Sequence, residues 1–114
     1  MATGFTFDDR FLDHDTGIGH PEQPARVSAI MTHLNQQSWV AELRRIAPRR
    51  ADYQWIELIH STEYRRRAQA ACAAGLSHLD SMDVAISRAS YDVAILAAGA
   101  PLVLADAMMA GQIQ

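Results

Sequence analysis

Five side chains able to bind a metal ion lie close together near the start of the chain. They are imidazoles and carboxylates within ten residues: Asp13, His14, Asp15, His20 and Glu22. Proteins use these groups as ligands for zinc, iron and manganese. The same groups also hydrogen-bond the backbone of polar loops. The sequence therefore leaves two interpretations open, a metal-binding module and a loop stabilised by its own polar side chains.

Arginine recurs in short runs that could contact nucleic acid. The runs lie at 44–45, 49–50 and 65–67, and the chain contains no lysine. Clustered cations can mark a nucleic-acid surface. However, the net charge is −3, and aromatic residues do not alternate with the arginines as they would in a stacking platform. We therefore expect solvated arginine faces and no nucleic-acid partner.

The single cysteine and the absence of targeting signals bear on location. One cysteine, Cys72, cannot build an intramolecular disulfide framework, and its alanine-rich surroundings predict a small buried side chain. The first ten residues lack the basic and apolar regions of a secretory signal. The longest uncharged apolar run, 93–105, has 13 residues, against about 17–25 for a membrane-spanning helix. These observations predict a cytoplasmic protein with no membrane partner.

Two strands and four helices are predicted around the polar loop. The strands cover 3–7, where Phe5 and Phe7 alternate with polar residues, and 43–47. Helices are predicted from Pro24 to about 35, after an Asp52 cap, and after a Ser61 cap with a stop at Gly75. Residues 76–86 read as irregular. A last helix is predicted from a Ser87 cap to near Gly111, apolar on nearly all sides and therefore buried on most of them.

The length and composition indicate one domain with many apolar residues and few predicted strands. A chain of 114 residues forms one small domain. Hydrophobic residues make up 49% of it, yet only two strands are evident. Such an apolar chain with so little architecture of its own predicts a core that is incomplete or that a partner covers.

Three segments resemble the histone deacetylase superfamily, and more narrowly the bacterial deacetylases related to acetoin-utilisation proteins and to eukaryotic class II enzymes. Residues 14–30, HDTGIGHPEQPARVSAI, are similar to its opening signature. Ile59, His60 and Tyr64 match a V-H-x-x-x-Y element. Residues 79–99, LDSMDVAISRASYDVAILAAG, resemble its D-T loop, serine-rich cap and apolar helix, with Val84 where threonine is usual. The resemblance covers 3–111.

The resemblance implies a fold and an activity. The fold is α/β, with residues 1–114 as a single partial domain: the helix-rich N-terminal portion of an arginase/deacetylase fold with a mostly parallel sheet. The activity is zinc-dependent hydrolysis of an acetylated amine, either acetyl-lysine or an acetylpolyamine. In the family, zinc polarises the acetyl carbonyl and its bound water, a histidine acts as the general base, and a tyrosine stabilises the oxyanion.

The resemblance also assigns roles to particular residues. His20, Pro21 and Glu22 match the loop at the mouth of the substrate tunnel, Arg26 matches an arginine near the channel that releases acetate, and Asp83 matches a rim position that binds the substrate backbone. The family's catalytic histidine pair lies in an R-P-P-G-H-H segment that is expected just beyond Gln112–Gln114. No catalytic residue and no zinc ligand is therefore expected among these residues. Alone, the chain is expected to bind no zinc and to be inactive.

Two further hypotheses compete with the hypothesis that the chain is part of a deacetylase. In the first, the chain is a standalone module that self-associates, as a homo-oligomer, or binds a partner through its apolar helix from Tyr91 to Met109. In the second, the acidic, histidine-bearing loop is itself a metal-binding module. The first hypothesis predicts a dimer or higher oligomer, and the second predicts stoichiometric bound metal.

Overall fold

Two small sheets and four α-helices make up the chain. The structure is a computed structural model that describes all residues from 1 to 114. The strands are β1 (Gly4–Phe5), β2 (Arg44–Arg45), β3 (His78–Leu79) and β4 (Ser81–Ala85). The helices are α1 (Pro24–Asn35), α2 (Tyr53–Ile56), α3 (Thr62–Ala73) and α4 (Ser90–Met109), and short 3₁₀ turns cover Asp9–Asp13 and Val40–Glu42.

The first sheet is parallel and confirms the predicted α/β class. Gly4 pairs with Arg44 and Phe5 with Arg45. The two strands run in the same direction because α1 lies in the connection between them, as a parallel pair requires. Both predicted strands are therefore confirmed in position, although each is shorter than predicted. On the other side of β1, the Gln114 amide donates to the Ala2 carbonyl at 3.1 Å.

The helix boundaries confirm most of the sequence signals. Helix α1 begins at Pro24, which needs no amide partner in the first turn. Helix α3 begins after Ser61, whose Oγ accepts the Tyr64 amide at 3.1 Å. Gly75 follows α3 with a φ of +72°, the left-handed conformation that ends helices. Asp52 precedes α2 as predicted, but its side chain makes no capping hydrogen bond.

Residues 76–86 are not irregular, and this prediction was wrong. They form the antiparallel hairpin of β3 and β4. The turn is made by Asp80, whose φ is +61°, where glycine or asparagine would have given a recognisable turn signal. Both Asp80 carboxylate oxygens accept from Arg67 on α3, at 3.1 and 2.8 Å. A contact distant in sequence thus stabilises a turn that local pattern does not reveal.

The last helix also begins later than predicted. Helix α4 starts at Ser90, and Ser87 is not its cap. Instead, the Ser87 amide donates to Ser90 Oγ at 2.7 Å, and the Ser90 amide donates to the Ser87 carbonyl at 3.1 Å. These reciprocal bonds hold residues 87–90 in a turn ahead of the helix.

Helix α4 crosses another part of the chain at Gly99. A Cβ at Gly99 would collide with the Arg49 carbonyl oxygen. The Ala51 amide donates to the Ile95 carbonyl at 3.0 Å, so the segment 49–51 lies directly on the helix. Salt bridges fix both sides of the crossing, from Arg49 to Asp106 at 2.6 Å and from Arg50 to Asp92 at 2.8 Å.

Helix α4 is not buried on most sides, contrary to the sequence expectation. One stripe of it is exposed and apolar: Ala94, Ala97, Pro101, Ala105 and Met108. By length and composition the 20-residue helix could cross a membrane. The uncharged apolar run noted in the sequence, 93–105, is shorter than this helix. Helices in the core of α/β proteins pass the same test, so this finding by itself assigns no membrane role.

The chain has the shape of a thin slab with a small core. Only 16 of 114 residues are buried, and the principal extents are 43 × 34 × 17 Å. The radius of gyration is 15.9 Å, against about 13 Å for a compact domain of this length. The accessible surface is 7518 Å², against about 6,200 Å² for a folded monomer of this mass. The excess surface agrees with the incomplete core expected from composition.

Candidate functional site

A cavity of about 480 Å³ opens between the polar loop, the hairpin and the N-terminal half of α4. Of its 20 lining residues, 12 are hydrophobic. The polar loop contributes His14, Thr16, His20 and Glu22, and the hairpin contributes Leu79, Asp83, Val84 and Ala85. A mostly apolar cavity with a few polar groups is the usual form of a small-molecule site.

The apolar wall of the cavity is the packed contact between α3 and α4. Cys72, Tyr91 and Ile95 form a buried cluster. Ile56 and Ala68 pack against this cluster from α2 and α3. The spacing of Tyr91 and Ile95, four residues apart, places both on one face of α4. Cys72 is thus a buried packing residue, as predicted.

The polar loop is tied to itself and to α4. His14 Nδ1 lies 2.7 Å from Ser90 Oγ, which connects the start of the loop to the first residue of α4. The Glu22 amide donates to His20 Nδ1 at 3.0 Å, and Thr16 Oγ1 donates to the Glu22 carbonyl. The Gly17 amide donates to the Asp15 carboxylate at 2.9 Å. These bonds hold the loop in one conformation beside the cavity.

The hairpin contributes Asp83 to the lining of the cavity. Asp83 lies on β4, lines the cavity and forms no salt bridge. The hairpin is held by the Arg67–Asp80 contact, and the Arg67 guanidinium lowers the pKa of the Asp80 carboxyl through its hydrogen bonds. Arg67 also lies over the Tyr64 ring, with 5.1 Å from Cζ to the ring centroid. Tyr64 in turn stacks on His60 at 5.1 Å between ring centroids.

A buried arginine, Arg65, lines the cavity. Arg65 donates to Glu57 Oε1 at 2.9 Å and to the Tyr91 hydroxyl at 3.3 Å. Its Cζ lies 3.7 Å from the centroid of the Tyr53 ring. Burial raises the pKa of Tyr91, and the hydrogen bond from Arg65 lowers the pKa of Glu57. Since Glu57 compensates its charge, Arg65 is a structural cation and does not make the cavity strongly basic.

The five potential metal ligands of the loop do not converge. No group of three or more histidine, cysteine, aspartate or glutamate side chains in the chain is placed to hold a metal ion. His14 contacts Ser90, and His20 contacts the backbone of Glu22. The polar side chains of the loop therefore stabilise the loop itself, and its geometry does not support the hypothesis of a metal-binding module. The zinc that the family resemblance implies does not fit these residues.

The structure brings together three of the five predicted site residues. His20, Glu22 and Asp83 line the cavity. Pro21 is exposed outside it. Arg26 lies on α1 and forms a salt bridge with the Glu22 carboxylate, outside the cavity lining. The product-channel role of Arg26 stays a prediction.

Sequence reasoning missed several lining residues. Ser90 was placed in the serine-rich cap and Tyr64 in the V-H-x-x-x-Y element, yet both line the cavity. His14 was considered as a metal ligand, as a polar group of its own loop and as part of the opening signature, but not as a partner of Ser90. Its contact with Ser90 joins residues 76 positions apart, and local sequence patterns carry no signal for such a contact.

Several known proteins are similar to this chain. The sequence profile of the histone deacetylase domain matches residues 20–114. The chain is 38% identical over 90 residues to the uncharacterised protein slr0245 of Synechocystis, covering 76% of this chain and 29% of that protein. It is 29% identical over 112 residues to a probable deacetylase of Archaeoglobus fulgidus, covering 96% of this chain and 30% of that protein.

Two further relatives extend the match to an animal protein and to a solved structure. The chain is 29% identical over 98 residues to the human polyamine deacetylase HDAC10, covering 82% of this chain and 15% of that protein. The crystal structure of the HDA15 HD domain superposes with a TM-score of 0.86 at 27% identity, covering 99% of this chain and 33% of that one. The chain thus spans about a third or less of each of these relatives.

Proposed function

Because the chain belongs to the histone deacetylase family, we propose that it forms the substrate-entrance side of a zinc-dependent deacetylase. The substrate is an acetylated amine, either acetyl-lysine or an acetylpolyamine. One observation carries this proposal: the tunnel-loop residues His20 and Glu22 and the rim carboxylate Asp83 line the same apolar cavity. The cytoplasm is the proposed location.

The cavity residues suit the binding of an acylated alkyl amine. The apolar wall around Ile95 and Cys72 can contact the methylene groups of such a chain. Asp83 accepts hydrogen bonds from N–H donors, because an ionised carboxylate has no proton to donate. Glu22 is neutralised by Arg26, so Asp83 is the carboxylate left free to orient the substrate.

No group of side chains in this chain would hold the zinc ion, whose chemistry in the family would be to polarise the acetyl carbonyl. The part of the cavity residues is to bind and orient the substrate and to limit the access of water. The 114-residue chain alone is accordingly proposed to be inactive. Purified chain that shows chelator-sensitive deacetylation by itself would overturn this division of roles.

Calorimetric titration of the purified chain tests the binding proposal. Nε-acetyl-lysine amide and N-acetylputrescine are titrated beside unacetylated lysine amide and putrescine. At least one acetylated ligand is expected to bind more tightly than its free amine. Asp83→Asn is expected to weaken that binding about tenfold, since a hydrogen bond to a charged group contributes about 1.5–3 kcal/mol. Asp9→Asn, on the 3₁₀ turn outside the cavity, is the matched control.

A second candidate function is supported by the exposed face of α4. The stripe from Ala94 to Met108 is apolar, and the surface exceeds that of a compact monomer. Exposed apolar patches of this kind bring about association. We therefore also propose that the isolated chain self-associates through Tyr91–Met109. A monodisperse monomer in sedimentation equilibrium would contradict this second proposal.

A further inference from the structure

A serine and a histidine are in contact on the wall of the cavity. Ser90 is the first residue of α4, and its Oγ lies 2.7 Å from Nδ1 of His14 on the polar loop. Both residues line the cavity. A hydroxyl and an imidazole within about 2.6–3.2 Å of each other are the usual arrangement of a nucleophile and its general base. The cavity therefore contains such a pair in addition to the groups proposed to bind an acylated amine.

The other hydrogen bonds of Ser90 leave its proton for His14. A hydroxyl has one proton to donate and two lone pairs that accept. The Ser87 amide donates to Ser90 Oγ at 2.7 Å and occupies one lone pair. Ser87 Oγ lies farther from Ser90 Oγ than His14 Nδ1 does, at 3.2 Å. The hydroxyl proton is therefore placed to move to His14, and a lone pair remains to attack a substrate.

Small side chains leave space beside the Ser90 hydroxyl. Ala94 and Ala98 follow Ser90 at intervals of four residues, so the three side chains share one face of α4. All three residues line the cavity. Ser90 itself is only 6% exposed, whereas Ala94 is exposed. A short acyl group that contacts the two alanine methyl groups would thus reach the hydroxyl from the cavity.

The first turn of α4 has amides that are free to donate. The amides of Tyr91 and Asp92 donate to no acceptor within the chain. Amides at the start of a helix carry partial positive charge. Backbone amides also stabilise the oxyanion that develops when a nucleophile adds to a carbonyl group. Ser90 precedes both amides directly, so an oxyanion formed on its acyl group would develop close to them.

We propose that Ser90 and His14 form an acyl-transfer pair that cleaves esters of short carboxylic acids without a metal ion. Ser90 Oγ attacks the ester carbonyl carbon while its proton passes to His14 Nδ1. The bond from that carbon to the leaving alcohol then breaks, and the alcohol takes the proton from His14. Water next adds to the acyl-serine and gives a proton to His14, which returns it to Ser90 as the carboxylic acid leaves. This activity goes beyond the proposed function, whose substrate is an acetylated amine.

The pair lacks the third member of a catalytic triad. The His14 ring makes one side-chain hydrogen bond, to Ser90, and no carboxylate contacts its other nitrogen. In triads, replacing the aspartate lowers kcat by about 10⁴-fold. Slow turnover is therefore expected, with activated esters as substrates. Because hydrolysis of the acyl-serine needs the same histidine, the acyl-serine is expected to accumulate.

Reaction of the full 114-residue chain with p-nitrophenyl acetate tests this proposal, in the presence of excess chelator. A burst approaching about one nitrophenolate per chain is expected, followed by slow turnover, as for other acyl-enzymes. Peptide mapping by mass spectrometry of the quenched reaction is expected to place the acetyl group on Ser90. Loss of the burst when the chelator is added would overturn the metal-independent mechanism.

Variants separate catalysis from folding. His14→Gln keeps a hydrogen-bonding side chain but removes the base, and it should slow acylation at least about a hundredfold. Ser90→Ala should abolish the burst, whereas Ser90→Cys keeps a nucleophile at the same position and should still acquire the acetyl group. Circular dichroism of each variant confirms that it is folded.

A second serine–histidine contact provides the matched control. Ser77 Oγ lies 2.9 Å from His78 Nδ1, but neither residue lines the cavity. Ser77→Ala is expected to leave the burst unchanged. An equal loss of the burst in Ser77→Ala would overturn the assignment to Ser90.

The remaining outcomes are equally decisive. Absence of a burst in the folded chain, or acetyl groups on exposed side chains and none on Ser90, would overturn the proposal. A burst of undiminished rate in His14→Gln would exclude His14 as the base. Because the probe is an ester, failure of acetylated amines to bind the cavity would contradict the proposed function and leave this inference intact.

Discussion

At the residue scale, a single glycine determines how closely two parts of the chain approach. Gly99 belongs to an apolar helix that the sequence predicts well, yet the sequence contains no sign that residues 49–51 cross it there. The crossing is flanked by two salt bridges between residues 57 and 42 positions apart. Long-range contacts of this kind follow from tertiary structure, so pattern reasoning identifies the helix and misses the reason for its glycine.

Gly99→Ala is expected to destabilise the chain. Alanine normally stabilises a helix relative to glycine by about 1 kcal/mol. At this position, however, the new Cβ would collide with the Arg49 backbone and lie 3.0 Å from the Ala51 nitrogen. Overpacking of this kind costs about 1–3 kcal/mol, and occasionally more. Gly99→Ala should therefore lower the free energy of unfolding instead of raising it. Urea unfolding monitored by circular dichroism measures the change.

The control for this prediction is the reciprocal substitution two residues away. Ala97 lies on the exposed stripe of α4, where Ala97→Gly should cost about 1 kcal/mol from helix propensity alone. If Gly99→Ala proves more stable than the unmodified chain, the close crossing is absent in solution.

At the element scale, helix starts were predicted better than the hairpin. Pro24 and Ser61 mark their helices through local chemistry, a free first amide and a capping hydroxyl, and local chemistry is visible in sequence. The hairpin depends instead on Asp80 in a left-handed conformation and on its contact with Arg67, which lies on another element. Its serine, methionine and aspartate residues favour no regular strand pattern, so the segment was wrongly read as irregular.

The two helix caps provide a matched pair of stability predictions. Ser61→Ala should cost about 0.5–2 kcal/mol, the usual value for losing a capping hydrogen bond. Asp52→Ala should have a much smaller effect, because the Asp52 side chain makes no such bond. Chemical denaturation measures the free energy of unfolding of both variants. An equal loss of stability in the two would show that the Ser61 hydroxyl does not stabilise the fold as a helix cap.

The Arg67–Asp80 contact makes the stability of the hairpin depend on pH. Hydrogen bonds from Arg67 lower the pKa of Asp80 below its ordinary 3.8. A carboxyl whose pKa is depressed by folding stabilises the fold above its unfolded pKa, and this stabilisation is lost as the pH falls through the folded pKa. Melting temperatures of the chain and of Arg67→Gln should therefore differ at neutral pH and converge as the pH falls below about 4. A difference that persists unchanged in acid would assign the effect to lost packing on Tyr64.

At the scale of the whole molecule, the sequence identified the family and the fold class, and the structural match to the HDA15 domain confirms the fold. The motif of residues 14–30 was informative because its order of histidines, glycines and proline is unusual. The cavity itself could not be predicted, since it forms between segments that share no local pattern. An incomplete core, in contrast, was predicted from an apolar composition with few strands, and the thin shape of the chain agrees with that prediction.

Self-association is the expected behaviour of this slab when purified alone. The exposed apolar stripe on α4 should bring about concentration-dependent dimers or higher oligomers in analytical ultracentrifugation. Ala97→Asp and Ala105→Asp place charges on this stripe and should shift the distribution toward monomer. Retention of the same oligomers in both variants would assign the contact to another surface.

We propose that an acylated amine binds in the cavity between the polar loop, the hairpin and α4. Chemical-shift mapping of the ¹⁵N-labelled chain during titration with Nε-acetyl-lysine amide tests it most directly. Saturable shifts are expected for the amides of His20, Asp83 and Ser90, while the amides near Met109 should not shift. Absence of saturable shifts in the folded chain, or shifts confined to the exposed stripe of α4, would contradict it.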